Sequence, residues 1–401
     1  MRIILANSAH SLLLPVFHLG ISFTVIRRAS PELWGAFVPV LIVMNLAAHL
    51  MAWGNKEYLL RAFSRQPHRI AQHWQTHLKT RLLLLLIFSP GVFIWSGTLF
   101  SGLWLMLWAV AALMYQSCEV LTLYYRKFLP ALRWEAAALG ILIGGLVILP
   151  EGLTLSHLIA AFALFMALKA GGMLMLFRRE VLRPAGASPD LQIFSRGFPF
   201  FILGFTGLLQ SRTDLYCAAY FLPPEELARY QVLTNLLLYI QGGANLILLP
   251  FVKNIYRLGE NPRRKLRRSL ALTGMALGLP GVGMLYLVLS RGYQFHFPPV
   301  IYGLSYLFVV PIFLYILDIY ELFGADRQGA VVKVALLATL INLGGSLWLI
   351  PRLGLLGALL SATAVQWVVL LIYRGLMYFS PDASSPTHPP GTQFLEKTID
   401  P

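Results

Sequence analysis

Long runs of apolar residues alternate with short polar segments along almost the whole chain. A helix needs about 20 mostly apolar residues to cross a bilayer, and twelve runs approach that length. They cover residues 3–26, 34–53, 82–100, 103–123, 136–149, 158–177, 197–220, 231–252, 269–290, 300–323, 330–350 and 355–378. The pattern predicts an all-α integral membrane protein with twelve transmembrane helices.

Composition supports this interpretation, because 57% of the 401 residues are hydrophobic and only 12% are charged. A soluble domain carries about 25% charged residues. The net charge of +15 comes from bases between the apolar runs, where an anionic lipid surface explains them better than nucleic acid does. Cys118 and Cys217 lie inside apolar runs and indicate neither a disulfide framework nor a metal site. We therefore expect membrane lipid as a partner, and neither a cofactor nor nucleic acid.

The distribution of lysine and arginine predicts the orientation in the membrane. If the N-terminus is cytoplasmic, the inward connections carry 21 bases and the outward connections carry five. Bases favour the cytoplasmic side, so both termini are predicted to be cytoplasmic. The outward connections are short, which argues against a large catalytic domain on that side.

The chain contains a weak internal repeat. At an offset of 193 residues, "SPELWGAFVPV" aligns with "PPEELARYQVL", so that Pro31 falls on Pro224 and Gly35 on Ala228. Both segments join the first two spans of a six-span half, and such repeats are typical of transporters with a substrate path at their interface. We predict two pseudo-symmetric six-helix lobes, at 1–180 and 197–379, joined by a cytoplasmic linker at 181–196 and followed by a disordered tail at 380–401.

Polar residues recur at helical spacing in spans 1, 2, 7 and 8, which the repeat makes symmetry mates. A polar stripe on each predicts a hydrated cavity between the lobes, whereas for any single residue a hydrogen bond between helices is the simpler explanation. The candidate path residues are Asn7, His10, His18, Asn45, His49, Gln210, Gln231, Gln241 and Asn245.

Charged residues inside the spans are costly in hydrocarbon and are therefore candidates for function. Arg212 suits an anionic headgroup, with snorkelling to the outer interface as the alternative. Asp214 is the main candidate for coupling an ion, and it points about 160° away from Arg212 around the helix. Glu119 and Asp318 are reserve candidates for the same role. Lys169 is expected to snorkel to the cytoplasmic interface.

Several stretches resemble the Wzx-type flippases of lipid-linked polysaccharide precursors, in the superfamily that includes the MATE drug exporters. "RRASPELWGAF" is similar to that family's first loop, and "AWGNKEYLLRAFSR" to the exit of its second span. "RTDLYCAAYFLPPEELARYQVL" resembles its seventh span with an intramembrane acid. The best match is the late region "LFGADRQGAVVKVALLATLINLGGSLWLIPRLGLLGALLSATAVQ".

The resemblance implies a MATE-like bundle in the bacterial inner membrane. It also implies translocation of undecaprenyl-diphosphate-linked oligosaccharide repeat units by alternating access, for surface polysaccharide such as O-antigen or exopolysaccharide. Partners would include a polysaccharide polymerase and glycosyltransferases. By residue matching, Asp214 is the seventh-span acid, Arg28 is the first-loop base, and Asn342, Pro351, Gly354 and Gly357 are structural. The sequence departs from the family in having few intramembrane bases beyond Arg212.

Two other functions remain open from the residues. A cation-coupled drug or metabolite antiporter of the same fold needs a deep acid, and Asp214 qualifies. A membrane-embedded glycan-processing enzyme would use His10, His18 or His49, but such enzymes usually need a long outward loop, which the predicted topology lacks. We therefore expect a transporter and not an enzyme.

Overall fold

The computed structural model describes residues 16–148, 152–184, 186–248 and 260–378. Within these residues the chain is helical and has no strand. We number the helices in chain order. The described part of α1 covers 16–28. The helices of the first half are α2 (Pro31–Ala52), α3 (Asn55–Arg65), α4 (Ile70–Ser96), α5 (Leu99–Tyr125), α6 (Phe128–Ile148), α7 (Leu155–Leu176) and α8 (Arg178–Leu182). Those of the second half are α9 (Gln192–Phe221), α10 (Pro224–Leu248), α11 (Glu260–Leu287), α12 (Pro299–Gly324), α13 (Gln328–Leu353) and α14 (Leu355–Tyr378).

The helices agree with the predicted integral membrane fold. Ten helical segments of the described part are long and apolar enough to cross a membrane. Helix α10, with 25 residues, and the described part of α1 account for the other two predicted spans. The predictions for Asn7, His10 and the tail at 380–401 concern residues outside the described ranges.

The polar connection at 55–81 is more ordered than the apolar pattern suggests. It contains the short helix α3, a 3-10 turn at Pro67–Arg69, and the first turns of α4. Periodicity of apolar residues marks only the part of a helix that meets lipid or core, so it misses turns that extend into a polar region.

The repeated prolines each begin a helix. Pro31 is the first residue of α2, and the Ser30 side chain accepts a hydrogen bond from the Leu33 amide at 3.2 Å. Pro224 is the first residue of α10. Proline suits this position because its fixed φ fits a helix and its missing N–H would have no partner there. The two symmetry-related helices therefore start at equivalent positions of the repeat.

The helices pack as two lobes. In the N-terminal lobe, α5 packs against α2, α4 and α7, and α6 packs against α7. In the C-terminal lobe, α13 packs against α9 and α14, and α12 packs against α10, α11 and α14. Contacts between the described parts of the lobes are made by α2 with α9 and α10, and by α3 with α9. The described part of α1 contributes as well, since the Ser22 hydroxyl lies 2.8 Å from the Tyr293 hydroxyl. The fold thus has the predicted pair of helical lobes, which meet mainly along α2.

Close approaches of backbone fix the lobe interface near both ends of α2. A Cβ on Gly35 would lie 1.7 Å from the Pro224 carbonyl oxygen, so only glycine fits this contact. At the other end, Trp53 and Gly54 adopt left-handed backbone conformations at the corner between α2 and α3. A Cβ on Gly54 would lie 2.7 Å from the carbonyl oxygen of Gly197 in α9.

The corner is also held by an aromatic contact between the lobes. The Trp53 indole donates a hydrogen bond to the Phe194 carbonyl oxygen at 2.8 Å. Its ring stacks on Phe201 with centroids 4.3 Å apart. We refer to this contact of Trp53 and Gly54 with α9 as the α3-end contact, and to Gly35 with Pro224 as the loop-end contact.

The glycines of α6 make no close contact with the described helices. In the sequence, Gly140, Gly144 and Gly145 suggest close packing of a short span against a neighbour. Helix α6 has 21 residues, and among the described residues a Cβ at any of these three glycines would meet no atom within 4 Å. A pattern of small residues permits close approach but does not show which helix is there.

Candidate functional site

A central cavity of about 490 Å³ lies between the lobes. Its wall is built from α1, α2, α5 and α7 of the N-terminal lobe and from α9 and α10 of the C-terminal lobe. Spans 1, 2, 7 and 8 of the sequence correspond to α1, α2, α9 and α10, so all four contribute to the wall. Helices α5 and α7 contribute as well, which the sequence pattern does not indicate.

Several predicted path residues face this cavity. Asn45 and His49, four residues apart on α2, both line it. His18 on α1 is exposed, and its side chain also lines the cavity. The predicted residues that line the cavity are His18, Asn45, His49, Glu119, Arg212 and Gln231.

Other predicted residues lie elsewhere, and Arg28, Gln210 and Asn245 do not line the cavity. Arg28 and Asn245 are exposed, and Gln210 is half-buried. Gln241 is buried and donates a hydrogen bond to the Phe308 carbonyl oxygen at 2.9 Å, inside the C-terminal lobe. Asp214 and Asp318 are also buried within that lobe. A polar stripe on one helix does not show whether it faces a neighbouring helix or an open space.

Arg212 presents its guanidinium to the cavity. Nη1 donates to Asn235 Oδ1 at 2.8 Å, and both residues line the wall. Arg212 makes no ion pair with any described carboxylate. As predicted from the helical angle, it does not pair with Asp214. The remaining donors of this planar group are available to an anion.

Lys169 of α7 supplies a second cation to the cavity wall. Its side chain is 7% exposed, and Nζ lies 4.2 Å from the centroid of the Tyr115 ring and 5.3 Å from that of Phe165. The expectation that Lys169 snorkels to an interface is therefore wrong. A base four to eight residues from a helix end looks the same in sequence whether it reaches solvent or an internal cavity.

Acidic residues lie on the same side of the cavity as Lys169. The Tyr115 hydroxyl donates a hydrogen bond to Glu135 Oε1. Glu119 lines the cavity together with Lys169, and no ion pair joins Lys169 to a carboxylate among the described residues. His18, Lys169 and Arg212 all line this cavity. The two cations, one from each lobe, therefore converge on the same region.

The wall contains polar and aromatic residues that sequence reasoning missed. Trp34, Gln116, Asn235 and Tyr239 all line the cavity. Trp34 Nε1 donates to Gln231 Oε1 at 3.0 Å and so joins α2 to α10 across the lobe interface. Asn235 lies four residues after Gln231 on α10, so the helical spacing already contained the signal.

His49 contributes a contact between the lobes as well as lining the cavity. Its ring stacks on Phe205 of α9 at 6.1 Å between centroids, and a Cβ on Gly204 would lie 3.2 Å from its Cε1 atom. A movement of the lobes would therefore change the surroundings of His49 directly.

Asp214 belongs to a polar cluster inside the C-terminal lobe. Its carboxylate accepts a hydrogen bond from the Tyr230 hydroxyl, and the Asn342 side chain lies within hydrogen-bonding reach. Ser346 and Ser361 bond to Asn342 Oδ1 at 3.2 and 3.1 Å. The cluster joins α9, α10, α13 and α14, and its acid has no cation within ion-pair distance among the described residues.

Asp318 has different surroundings, because it is paired. Arg267 Nη2 lies 2.7 Å from Asp318 Oδ1 and 2.9 Å from Glu321 Oε2, and Arg374 Nε lies 3.7 Å from Asp318 Oδ2. The site joins α11, α12 and α14. A carboxylate already compensated by two guanidinium groups is a poor candidate for binding a further cation.

The cavity combines groups suited to a polar, anionic molecule. Amides and histidines offer hydrogen bonds, and indole and phenol rings offer flat faces. The two cations, Lys169 and Arg212, form no ion pair with any acid that the structure describes. In the described part of the chain no three histidine, cysteine, aspartate or glutamate side chains come close enough to form a metal site.

Comparison with solved structures shows the fold. The structure is similar to the lipid II flippase MurJ in an inward closed conformation, with a TM-score of 0.71 at 12% sequence identity, covering 94% of this chain and 87% of that one. It is also similar to an outward-facing MATE family transporter of the MOP superfamily, with a TM-score of 0.58, 14% identity and 96% of each chain covered. The MATE multidrug transporter DinF-BH matches with a TM-score of 0.56 at 12% identity, covering 96% of this chain and 95% of that one.

No family model and no curated protein match the chain by sequence. At identities of 12–14% the structural similarity establishes the architecture alone. The chain therefore has the two-lobed helical fold seen in MurJ and in MATE transporters of the MOP superfamily.

Proposed function

We propose that the protein is a flippase for an anionic lipid-linked oligosaccharide, carried by undecaprenyl diphosphate, in the synthesis of a surface polysaccharide. The fold supports transport by alternating access, since MurJ is described as a lipid II flippase and the MATE relatives as transporters. The finer assignment rests on the cavity and on the sequence resemblance to Wzx-type flippases.

The observation that carries the proposal is the pair of cations that face the cavity, each without an ion-paired acid in the described part of the chain. Arg212 is held by Asn235, and Lys169 is held against the Tyr115 ring. Each comes from a different lobe. A diphosphate offers several acceptor oxygens to such groups, and charge-assisted hydrogen bonds to it are stronger than neutral ones.

The rest of the wall suits the sugar part of the cargo. Asn45, Gln116 and Asn235 offer both donors and acceptors, and Trp34 and Trp108 offer ring faces. A cavity of about 490 Å³ lies within the range of about 300–1,000 Å³ typical of small-molecule sites. It would take the head of the cargo while the polyprenyl chain stays in the bilayer.

Alternation between the two sides would be a movement of one lobe against the other. The lobe interface supports this because it includes separate contacts at its two ends, the loop-end contact and the α3-end contact. Breaking one end while keeping the other would open the cavity to one leaflet. The lobe boundaries that we propose are 1–180 and 197–379, with a linker between them.

The remaining features of the assignment follow from the charge pattern and the resemblance. We place the protein in the bacterial inner membrane with both termini in the cytoplasm, so that α3 lies on the cytoplasmic side. Polysaccharide polymerase and glycosyltransferases would be functional partners, since they would consume and supply the cargo.

Asp214 is the group that we assign to ion coupling. It is buried, it accepts a hydrogen bond from Tyr230, and it has no cationic partner within ion-pair distance among the described residues. Such a carboxylate can take a proton or a small cation, and the balance between states would depend on how α9 packs on α13. Glu119 is a second possibility because it lines the cavity, whereas the pairing of Asp318 counts against it.

A cation-coupled drug antiporter is the second candidate function. The deep acid Asp214 and the aromatic lining favour it. The two cavity cations count against it, because they would repel a cationic drug.

The test is transport of a fluorescent undecaprenyl-diphosphate oligosaccharide by the purified protein in vesicles. We expect Arg212→Gln and Lys169→Gln each to slow flipping by about 10- to 100-fold, since a hydrogen bond to a charged group contributes about 1.5–3 kcal/mol. Arg229→Gln is the matched control, because Arg229 pairs with Glu225 on the surface of α10 and does not line the cavity.

The same vesicles distinguish the rival function. If both cavity variants and the control flipped the lipid as fast as the wild type, the two cations would have no role in binding the diphosphate. Proton- or sodium-driven efflux of a cationic dye by the wild type, without movement of the lipid-linked sugar, would instead establish the antiporter.

A further inference from the structure

A second cavity of about 490 Å³ lies outside the central one, where α3, α4 and α9 meet. Three arginines contribute to its wall, Arg61 and Arg65 from α3 and Arg196 from α9. Half-buried Tyr58, His73 and Phe200 form the rest of the wall together with Gln66. We call this the arginine pocket.

The amphipathic pattern of α3 turns its arginines toward the pocket. Leu59 and Phe63 are buried against α4 and α5 of the N-terminal lobe. Tyr58, Arg61 and Arg65 lie on a stripe about 150° away from these two residues around the helix, at 100° per residue. The spacing of three and four residues therefore places two guanidinium groups side by side over the same opening.

The positive charge of the pocket is not neutralised within the described part of the chain. Arg61 and Arg65 form no ion pair or hydrogen bond there. Arg196 donates to Gln192 and lies 3.7 Å from Asp190 Oδ2, with the Arg196 side chain 56% exposed. His73 Nε2 is 2.9 Å from Gln66 Oε1. One acid at the edge therefore faces three guanidinium groups.

The pocket is built from both lobes. Arg61 and Arg65 belong to the N-terminal lobe through α3, whereas Arg196 lies on the first turns of α9, the helix that continues from the end of the linker into the C-terminal lobe. The α3-end contact is adjacent, since Trp53 bonds to Phe194 and Gly197 packs against Trp53. A ligand held by all three arginines would join the lobes beside this contact.

The surroundings of Arg196 are apolar and open. On α9, Phe198 is 48% exposed, and Leu191 just before the helix is 65% exposed. A lipid at a membrane interface can place its acyl chains beside such apolar side chains and its headgroup on the neighbouring guanidinium groups. The same end of the molecule carries most of the bases of the chain, which is the side that faces anionic lipid.

We infer that the arginine pocket binds the phosphate of an anionic phospholipid headgroup, and that the bound lipid stabilises the closed α3 end. The planar donors of arginine match phosphate oxygens in pairs. Because Arg196 moves with α9, opening at this end would separate it from Arg61 and Arg65 and release the ligand. The inference does not depend on the identity of the cargo in the central cavity.

Titration with phosphatidylglycerol or phosphatidylcholine, followed by native mass spectrometry of the purified protein, tests this. We expect one tightly bound phosphatidylglycerol on the wild type and no comparable phosphatidylcholine. The triple variant R61Q/R65Q/R196Q should bind phosphatidylglycerol about 100-fold more weakly, from about 1 kcal/mol for each base near an anionic lipid. All three side chains are exposed, so the variant is expected to fold, which its elution profile and melting temperature will check.

The matched control is R264Q/K265Q/R268Q, which removes three exposed bases of α11 from the end predicted to face the same leaflet. It should change the affinity by no more than about twofold, because a loss of diffuse surface charge alone is small at moderate salt. Equal weakening by both triple variants would mean diffuse attraction and would overturn the pocket.

The source of the phosphate is tested separately. Millimolar inorganic phosphate should leave the bound phosphatidylglycerol in place. Displacement by inorganic phosphate would identify the ligand as a free anion. If phosphatidylcholine bound as tightly as phosphatidylglycerol, the headgroup charge would not determine binding. Either result would overturn the lipid assignment.

Discussion

The two lobes carry similar numbers of buried polar groups but use them differently. The N-terminal lobe contributes four helices to the central cavity, and Asn45, Gln116, Glu119 and Lys169 face it. The C-terminal lobe contributes two helices, and its acids Asp214 and Asp318 are bonded inside the lobe. The polar groups that face the cavity therefore come mainly from the N-terminal lobe. The acids that are bonded to other side chains lie inside the C-terminal lobe.

The difference shows that a buried polar group is informative only together with its partners. Lys169 and Arg267 are both bases inside the helical bundle, yet of these two only Arg267 has ion pairs within 4 Å among the described residues. An ion-paired base stabilises the packing of three helices, whereas an unpaired base that faces a cavity is available for binding. Arg212 is the exception in the C-terminal lobe, since it faces the cavity without an acid.

The largest expected effect comes from opening the closed network of the C-terminal lobe. Arg267→Gln should destabilise the protein by about 3 kcal/mol, because the fully buried carboxylate of Asp318 would lose its partner at 2.7 Å. The apparent melting temperature in detergent measures this. Arg264→Gln, exposed on the same helix, is the control. A melting temperature equal to that of the control would mean that the network contributes little.

A smaller effect is expected at the contact that joins the lobes. Gly35→Ala would place a Cβ 1.7 Å from the Pro224 carbonyl oxygen, and such overpacking costs about 1–3 kcal/mol. We expect the loop ends of the lobes to move apart and transport to fall. The distance between spin labels on the α1–α2 and α9–α10 loops measures the separation.

Gly140→Ala is the control for that change, because its Cβ would meet no atom within 4 Å. If the spin-label distance in Gly35→Ala matched that in Gly140→Ala, the loop-end contact would not hold the lobes together.

The smallest effect on stability is expected for Asp214→Asn. Asparagine has the same shape and can still accept the hydrogen bond of Tyr230, so the free energy of unfolding should change by less than about 1 kcal/mol. Stimulation of transport by a proton or sodium gradient should nevertheless be lost, because a neutral amide cannot take up the ion. Flipping with and without the gradient measures this.

The control is Asp326→Asn, since Asp326 is exposed and has a positive φ that asparagine also tolerates. A gradient response in Asp214→Asn as large as that of Asp326→Asn would remove Asp214 from coupling and would reduce the C-terminal cluster to a structural role.

Much of the fold could be predicted because it depends on local patterns. Apolar runs mark the spans, and the repeated prolines mark equivalent helix starts, as α2 and α10 show. The candidate site was harder to predict, since Asn45 and His49 face the cavity whereas Gln210 and Asn245 do not. In the sequence, each of these four residues looks like part of a polar stripe on its own helix.

What the sequence alone determined was the membrane-spanning helical character and the resemblance that points to a two-lobed transporter, because both follow from residue order along one chain. Only the tertiary structure decided that Lys169 faces a cavity, that Asp318 is paired, that no described helix packs closely on the α6 glycines and that Arg61, Arg65 and Arg196 share a pocket. The physical reason is that the environment of a charge is set by helices far away in sequence. Neither helical period nor composition specifies which of those helices stands opposite.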